Sequence, residues 1–458
     1  MFSAQTYADR RRVLADRLGT GLVLLLGNSE SPRNFADGTH PFRQDSTFLY
    51  YFGLDQPDLA AVIDADTGEA VLFGVDPTID HIVWMGDLPS LAERGAAAGV
   101  IDVRAPEALP NCLAGAKGRP VHYLPPYRAA NRVKLEGLLE MSAKDFEAGV
   151  SLDLVKAVVA QRNVKTDEEI AEIEKAVAVS VTMHEAAMAC ARPGLTEYQV
   201  VAEVERVARA AGMDLAYQVI GTVHGEILHN HDHGNTLKPG DMFLLDAGAE
   251  SPLGYAADLS STMPVDPSFT ERQRVMYDLC LASYRAAVDT LAPGVPFSEA
   301  HLNAARVIAA GMKDLGLMRG DTEEAVQAGA HAIFFQCGTG HMMGLDVHDM
   351  EDLGEVWVGY DGEPKSTQFG LKSLRLARPL EPGFVLTVEP GIYMIPQLMD
   401  LWAGEKRFEE FLDHAEIRKW RDFGGIRNEE NFLITDDGHR RLGPAKPLTA
   451  EEVENLKS

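Results

Sequence analysis

GTGHMMGLDVHD, residues 338–349, sets two histidines, His341 and His348, seven positions apart in an apolar run studded with glycine. The stretch alone leaves three readings open: metal ligands, catalysts or core residues. A single histidine among apolar residues is more often a hydrogen-bonded core residue than a ligand. The choice between them depends on what stands on either side in the chain.

On the N-terminal side are two aspartates. Asp246 ends MFLLD and Asp258 ends YAAD, twelve positions later. Two strands with a short connection can bring such acids together, although each alone also reads as a strand-end turn residue. On the C-terminal side Glu389 sits in VLTVEPGIY after strong strand character, where an acid is costly unless paired or bound to a cation. Glu429, in GGIRNEENFLIT, again leads into an apolar strand, with Glu430 as the competing position. Four carboxylates near one another do not all ionise without cations between them, and two divalent metals would neutralise them. Mostly oxygen donors with one imidazole favour manganese or cobalt over structural zinc. Two such metals can share a water and make it a nucleophile near neutral pH.

The rest of the chain bounds the reading. Its 458 residues, 46% hydrophobic and 24% charged, are those of a soluble globular protein too long for one ordinary core. A net charge of −27 argues against nucleic acid as a partner. The cysteines, Cys112, Cys190, Cys280 and Cys337, are far apart with no CxxC pair and read as reduced thiols of a cytoplasmic protein. No run approaches a membrane span, and the amphipathic start, MFSAQTYADRRRVLADRL, lacks an apolar signal region.

The first part alternates strands and helices. GLVLLLG (21–27), STFLYYFGL (46–54) and VHYLPP (121–126) read as strands, and 59–74 as a hairpin around Asp66-Thr67-Gly68. A helix-rich stretch runs to about Ala160, and a new start follows, where Thr166 and Glu169 form a capping box. Pro193-Gly194 ends that helix, and Thr196 with Gln199 caps the next. Strands then alternate with helices near 270–291 and 297–316. The expected boundary lies near 160, dividing the chain into 1–160 and 161–458. The loop HGEILHNHDH (224–233) approximates the HxHxDH signature of zinc lactamases but misses it by one residue. It is expected at a surface or the edge of the site, with His229 its one functional member.

Taken together, these segments resemble the pita-bread dinuclear metallopeptidases, a family that includes methionine aminopeptidase, aminopeptidase P and prolidase. LLDAGAE, YAADLSST, GHMMGLDVHD, LTVEPGIY and GIRNEE are similar to its five ligand segments, in order, over more than 180 residues. The resemblance implies Asp246, Asp258, His341, Glu389 and Glu429 as ligands of two divalent metal ions, manganese first and cobalt or zinc as alternatives. It also selects Glu429 over Glu430. FRQDSTFLYYFGLDQPD (42–58) resembles the N-terminal domain shared by aminopeptidase P and prolidase. The implied fold is α/β (α+β): a small N-terminal α/β domain followed by a pita-bread catalytic domain.

SLRLARPLEPGFVLTVEPGIY and RDFGGIRNEE look more like prolidase, which cleaves dipeptides ending in proline. Such an enzyme must bind a free carboxylate beside the scissile bond, and arginine suits that task. By resemblance Arg375 takes this role, His348 and His229 line the substrate site, and Arg427 holds a neighbouring carboxylate or the substrate. The implied reaction is attack by a metal-bridging hydroxide, with Glu389 moving the proton and His348 assisting the oxyanion. The partners implied are a small peptide with proline second and a second copy of the chain in a homodimer. Three departures from the family pattern touch the site: the extra residue in SPLG, the shortened loop before ILHN, and Asn428 between Arg427 and Glu429. The rival readings are an aminopeptidase P acting on longer peptides, an inactive pita-bread domain that binds a protein partner, and a metal-independent relative hydrolysing an amidine-type substrate. The last two are disfavoured by the complete ligand set.

Overall fold

The computed structural model describes residues 1–142 and 144–457, which fall into two units. One comprises Met1–Arg162 with Met350–Trp357, and the other Asn163–Asp349 with the chain from Val358 onward.

In the first unit the strand Leu22–Leu26 is apolar along its whole length because it is interior to a five-stranded sheet. It pairs antiparallel with Ala60–Asp64 and parallel with Val121–His122. Ala60–Asp64 continues antiparallel into Ala70–Phe73 through the expected hairpin, where Gly68 takes φ +74° and donates to the Asp64 carbonyl at 2.8 Å. Asp102–Arg104 adds a parallel edge. The sheet buries Leu22, Leu24, Val62 and Phe73 against Leu109 and Leu135.

Two expectations for this unit need correction. STFLYYFGL contains a helix, Ser46–Phe52, not a strand. All seven of its residues are buried, so no polar stripe marks the helical period, and aromatic content imitates a strand. The decisive signals lie at its ends: Asp45 accepts from the Phe48 N–H at 2.8 Å, and Gly53 caps the other end at φ +64°. VHYLPP forms a strand only over Val121–His122, since Pro125 and Pro126 have no N–H to continue a ladder.

The second unit repeats one arrangement of elements. Helices Asp167–Cys190 and Glu197–Ala210 pack together and lead into an antiparallel sheet of Ile220–Thr222, Met242–Asp246 and Ser260–Pro264. Helices Glu271–Val288 and Phe297–Asp314 pack together and lead to an antiparallel sheet of Val385–Val388, Glu430–Ile434 and His439–Arg441. A two-stranded ladder, Gly391–Tyr393 with Gly425–Arg427, stands beside the second sheet in sequence. Both expected capping boxes are present, with Glu169 accepting from the Thr166 N–H at 3.0 Å and Gln199 from the Thr196 N–H at 2.9 Å. The sheets carry the acidic segments at their ends, and this places the site.

Candidate metal centre

Strand Met242–Asp246 runs antiparallel to Ser260–Pro264 with Asp246 opposite Ser260, so Asp258 arrives at the same end of the ladder as Asp246. The Tyr217 hydroxyl lies between the two carboxylates, 2.6 Å from Asp246 Oδ1 and hydrogen-bonded to Asp258 Oδ1. Arg427, almost wholly buried, ion-pairs with Asp246 Oδ2 through Nη2. Its Nη1 donates to the Tyr393 hydroxyl at 2.9 Å and its Nε to Ser260 Oγ at 2.8 Å, which fixes the guanidinium plane.

The second sheet delivers the glutamates. Val388 pairs with Glu430, so Glu389 and Glu429 emerge from neighbouring strands at one end. Side chains alternate across a strand, and the two adjacent acids separate accordingly. Glu430 turns to the Tyr284 hydroxyl at 2.6 Å and Arg441 at 2.9 Å, whereas Glu429 Oε2 accepts from Ser260 Oγ at 2.7 Å. His341 lies 3.0 Å from the Met342 carbonyl through Nδ1. A proton on Nδ1 makes that bond and turns the Nε2 lone pair toward the acids, 3.3 Å from Asp258 Oδ2 and 3.6 Å from Glu389 Oε1.

This cluster fits a divalent cation. One donor atom each of Asp258, His341 and Glu429 lies within 4.8 Å of the others. Glu429 Oε1 is buried with no hydrogen-bond partner among the described residues, an arrangement that a cation would complete. Burial, then the fields of Asp246 and Glu389, pushes the Asp258 carboxyl well above the usual carboxylate range. Burial and the fields of Asp258 and Asp246 do the same to Glu429, and burial and Glu429 do so to Glu389. Arg427 opposes the last two shifts with a single charge; a cation among the acids would reverse them. Asp246 and Glu389 fall outside the tight three-residue group and reach it through Tyr217 and His341.

A cavity of about 260 Å³ opens on the cluster. His229, His348, Arg375 and Arg427 all line it together with Asp246, Asp258, His341, Glu389 and Glu429, so the site residues implied by the resemblance share one cavity, which Glu430 does not reach. His348 meets the His341 ring edge-on with centroids 4.4 Å apart. Burial, then the charge of Arg427, lowers the His229 pKa. Two polar lining residues stand apart from the sequence expectation: Tyr217 is not singled out there, and His231 is set aside with its loop. Tyr217 lies in a short segment, LAYQVI, whose pattern carries no acid or histidine to draw attention. His231 lines the cavity beside His229, whereas His233 is tied away to the Val219 carbonyl at 3.1 Å.

The profile of metallopeptidase family M24 matches residues 171–436, and that of the aminopeptidase P N-terminal domain matches residues 7–122. The chain belongs to metallopeptidase family M24. This M24 metallopeptidase is 31% identical to the human Xaa-Pro dipeptidase over 98% of its own length and 92% of that protein's. It is 30% identical to the Escherichia coli Xaa-Pro aminopeptidase over 99% of its length and 98% of that protein's. Among solved structures it is similar to the Pseudomonas aeruginosa aminopeptidase PepP, with a TM-score of 0.83 and 30% identity over 99% and 98% of the two chains. The fold is therefore that of an M24 enzyme of the prolidase and aminopeptidase P type, with a small N-terminal α/β domain and a pita-bread domain. Divalent metal dependence belongs to the family, and no described helix is long and apolar enough to cross a membrane.

Proposed function

We propose that this M24 enzyme is an Xaa-Pro dipeptidase that releases proline from dipeptides. The observation carrying this reading is that Arg375 lines the same small cavity as the acidic cluster, where its charge acts on both Glu389 and His229. A dipeptide presents its carboxylate one residue beyond the scissile bond, within reach of such an arginine. The bond before proline is a tertiary amide with no N–H, so recognition must use the ring's shape and the chain ends.

Two divalent cations, manganese first, would be held by Asp246, Asp258 and Glu429 on one side and by Asp258, His341, Glu389 and Glu429 on the other. When bound they supply Lewis acidity and lower the pKa of water. Glu389 takes the proton of the attacking water and passes it to the leaving proline nitrogen. His348 donates to the carbonyl oxygen as negative charge develops there. Arg375 and His229 hold the product-side carboxylate, and Arg427 keeps Asp246 in place.

Residues 1–160 form the N-terminal domain in this reading, residues 161–458 the catalytic one, and the enzyme works as a cytoplasmic homodimer. Free thiols at all four cysteines suit a reducing compartment. The helix Ile79–Met85 buries none of its residues and leaves Trp84 84% exposed, an apolar surface suited to a second copy.

The similarity to aminopeptidase P structures favours a second reading, release of the first residue from longer peptides. Hydrolysis of an Xaa-Pro dipeptide and an Xaa-Pro-Xaa tripeptide by the manganese-loaded enzyme separates the two. The dipeptidase reading expects cleavage of the dipeptide, with Arg375→Ala raising KM roughly tenfold or more. Preferred cleavage of the tripeptide, indifferent to Arg375, would establish the aminopeptidase instead.

A further inference from the structure

Behind the histidine loop lies a buried ion pair with no part in the chemistry above. Lys165 Nζ is 3.0 Å from Asp349 Oδ2, and each side chain is only 1% exposed. Asp349 directly follows His348. A pair this deep is a poor stabiliser, because removing both charges from water offsets much of their attraction. What it does supply is a fixed geometry.

Asp349 ties the loop at several atoms. Its N–H donates to the Met342 carbonyl at 2.9 Å, the same carbonyl that receives His341 Nδ1. Its Oδ1 lies 3.4 Å from the Asp346 N–H. The loop is held in turn by the strand leading to Glu389, with the Met343 N–H on the Val385 carbonyl at 3.0 Å. Gly344 lies directly over the pair: a Cβ there would stand 2.6 Å from Asp349 Oδ2 and 3.0 Å from Lys165 Cε. The Gly344 carbonyl accepts from the Ala256 N–H at 2.8 Å, two residues before Asp258. The lysine is itself anchored, its N–H donating to the Gly383 carbonyl at 2.8 Å. The chain leaves this unit after Asp349 and returns at Val358, whose carbonyl accepts from Asn163 Nδ2 at 3.2 Å. Both ends of that excursion are thus fastened to the segment 163–165.

We propose that the Lys165–Asp349 ion pair is a positioning device that sets the His348 ring against His341 for the peptidase reaction. The proposal rests on the role given to His348 above. Lys165→Met alone would take the opposing charge from a buried carboxylate and risk unfolding. The double substitution Lys165→Met/Asp349→Asn removes both charges at nearly constant volume and is the working variant.

The full-length chain, zinc-loaded and carrying 13C-labelled histidine, reports ring positions directly; the His348 signal is assigned by its loss in His348→Ala. The double variant is expected to melt near the parent temperature, to shift the His348 ring signal, and to lower kcat roughly tenfold to a hundredfold with little change in KM. On the His348→Ala background the same double substitution should cost less than about twofold, because the two act through one ring. An unmoved His348 signal, or a loss that multiplies fully with that of His348→Ala, would overturn the proposal. A shifted signal in a chain whose kcat is indifferent to His348→Ala would uphold the positioning and instead refute the role assigned to His348.

Discussion

Two pairs of histidines in the catalytic unit meet opposite surroundings. His341 turns Nε2 toward Asp258 and Glu389, 3.3 Å and 3.6 Å away, and meets the His348 ring with centroids 4.4 Å apart at the wall of the cavity. His301 and His331 lie 6.5 Å apart and wholly inside the protein, where His301 stacks on Phe335 at 4.9 Å and meets Thr339 Oγ1 at 2.8 Å. Burial lowers the pKa of His301 to about 3 and of His331 to about 4. The inner pair is therefore neutral. Burial is common to His341 and the inner pair; what differs is that carboxylates lie beside His341. The pairs are nonetheless joined, since Thr339 also accepts the Glu389 N–H through its carbonyl at 2.7 Å. The inner pair thus forms part of the footing on which the outer pair's acid stands.

The largest effect that could break this contrast is at the acid facing His341. Glu389→Gln should lower turnover by about a thousandfold, the scale of a lost acid–base group. Near-normal hydrolysis by a metal-loaded Glu389→Gln chain would remove the carboxylate from the chemistry. Next in size is metal content. His341→Ala should lower the manganese retained after gel filtration, measured by elemental analysis, while His331→Leu should leave it at the parent level. Equal losses in both variants would mean that the two pairs are not functionally distinct.

Much of this contrast was legible in the sequence because it depends on order. Asp246, Asp258, Glu389 and Glu429 stand in or beside segments whose strand character makes buried acids conspicuous, and His341 gains its reading from them. The choice of Glu429 over Glu430 follows from strand alternation once the register of Val388 with Glu430 is known. No local pattern could supply that register, and in the sequence the choice of Glu429 rests on the resemblance alone. Tyr217 was invisible for a related reason: it matters only because two strands deliver Asp246 and Asp258 to its hydroxyl. The Ser46–Phe52 helix was misread because burial on every side erased its period. Lys165 carried no signal either, since its partner Asp349 is 184 positions away.

The smallest effect tests the inner pair alone and concerns acid stability. His301 titrates at about 3 in the folded chain against an ordinary 6.5, so the unfolded chain binds the proton first. Its contribution is present in full above pH 6.5 and is lost as the pH falls from there toward 3, at about 1.4 kcal/mol per pH unit. His331, lowered to about 4, acts in the same direction over a narrower window. His301→Gln keeps a hydrogen-bonding side chain beside Thr339 but cannot titrate. Its melting temperature, followed by calorimetry from neutral pH into the acid range, should fall less steeply than the parent's below about pH 6. A slope equal to the parent's would mean that the His301 ring accepts its proton inside the fold. Burial would then not hold the inner pair neutral, and the contrast with the pair beside Asp258 and Glu389 would rest on that pair's neighbours alone.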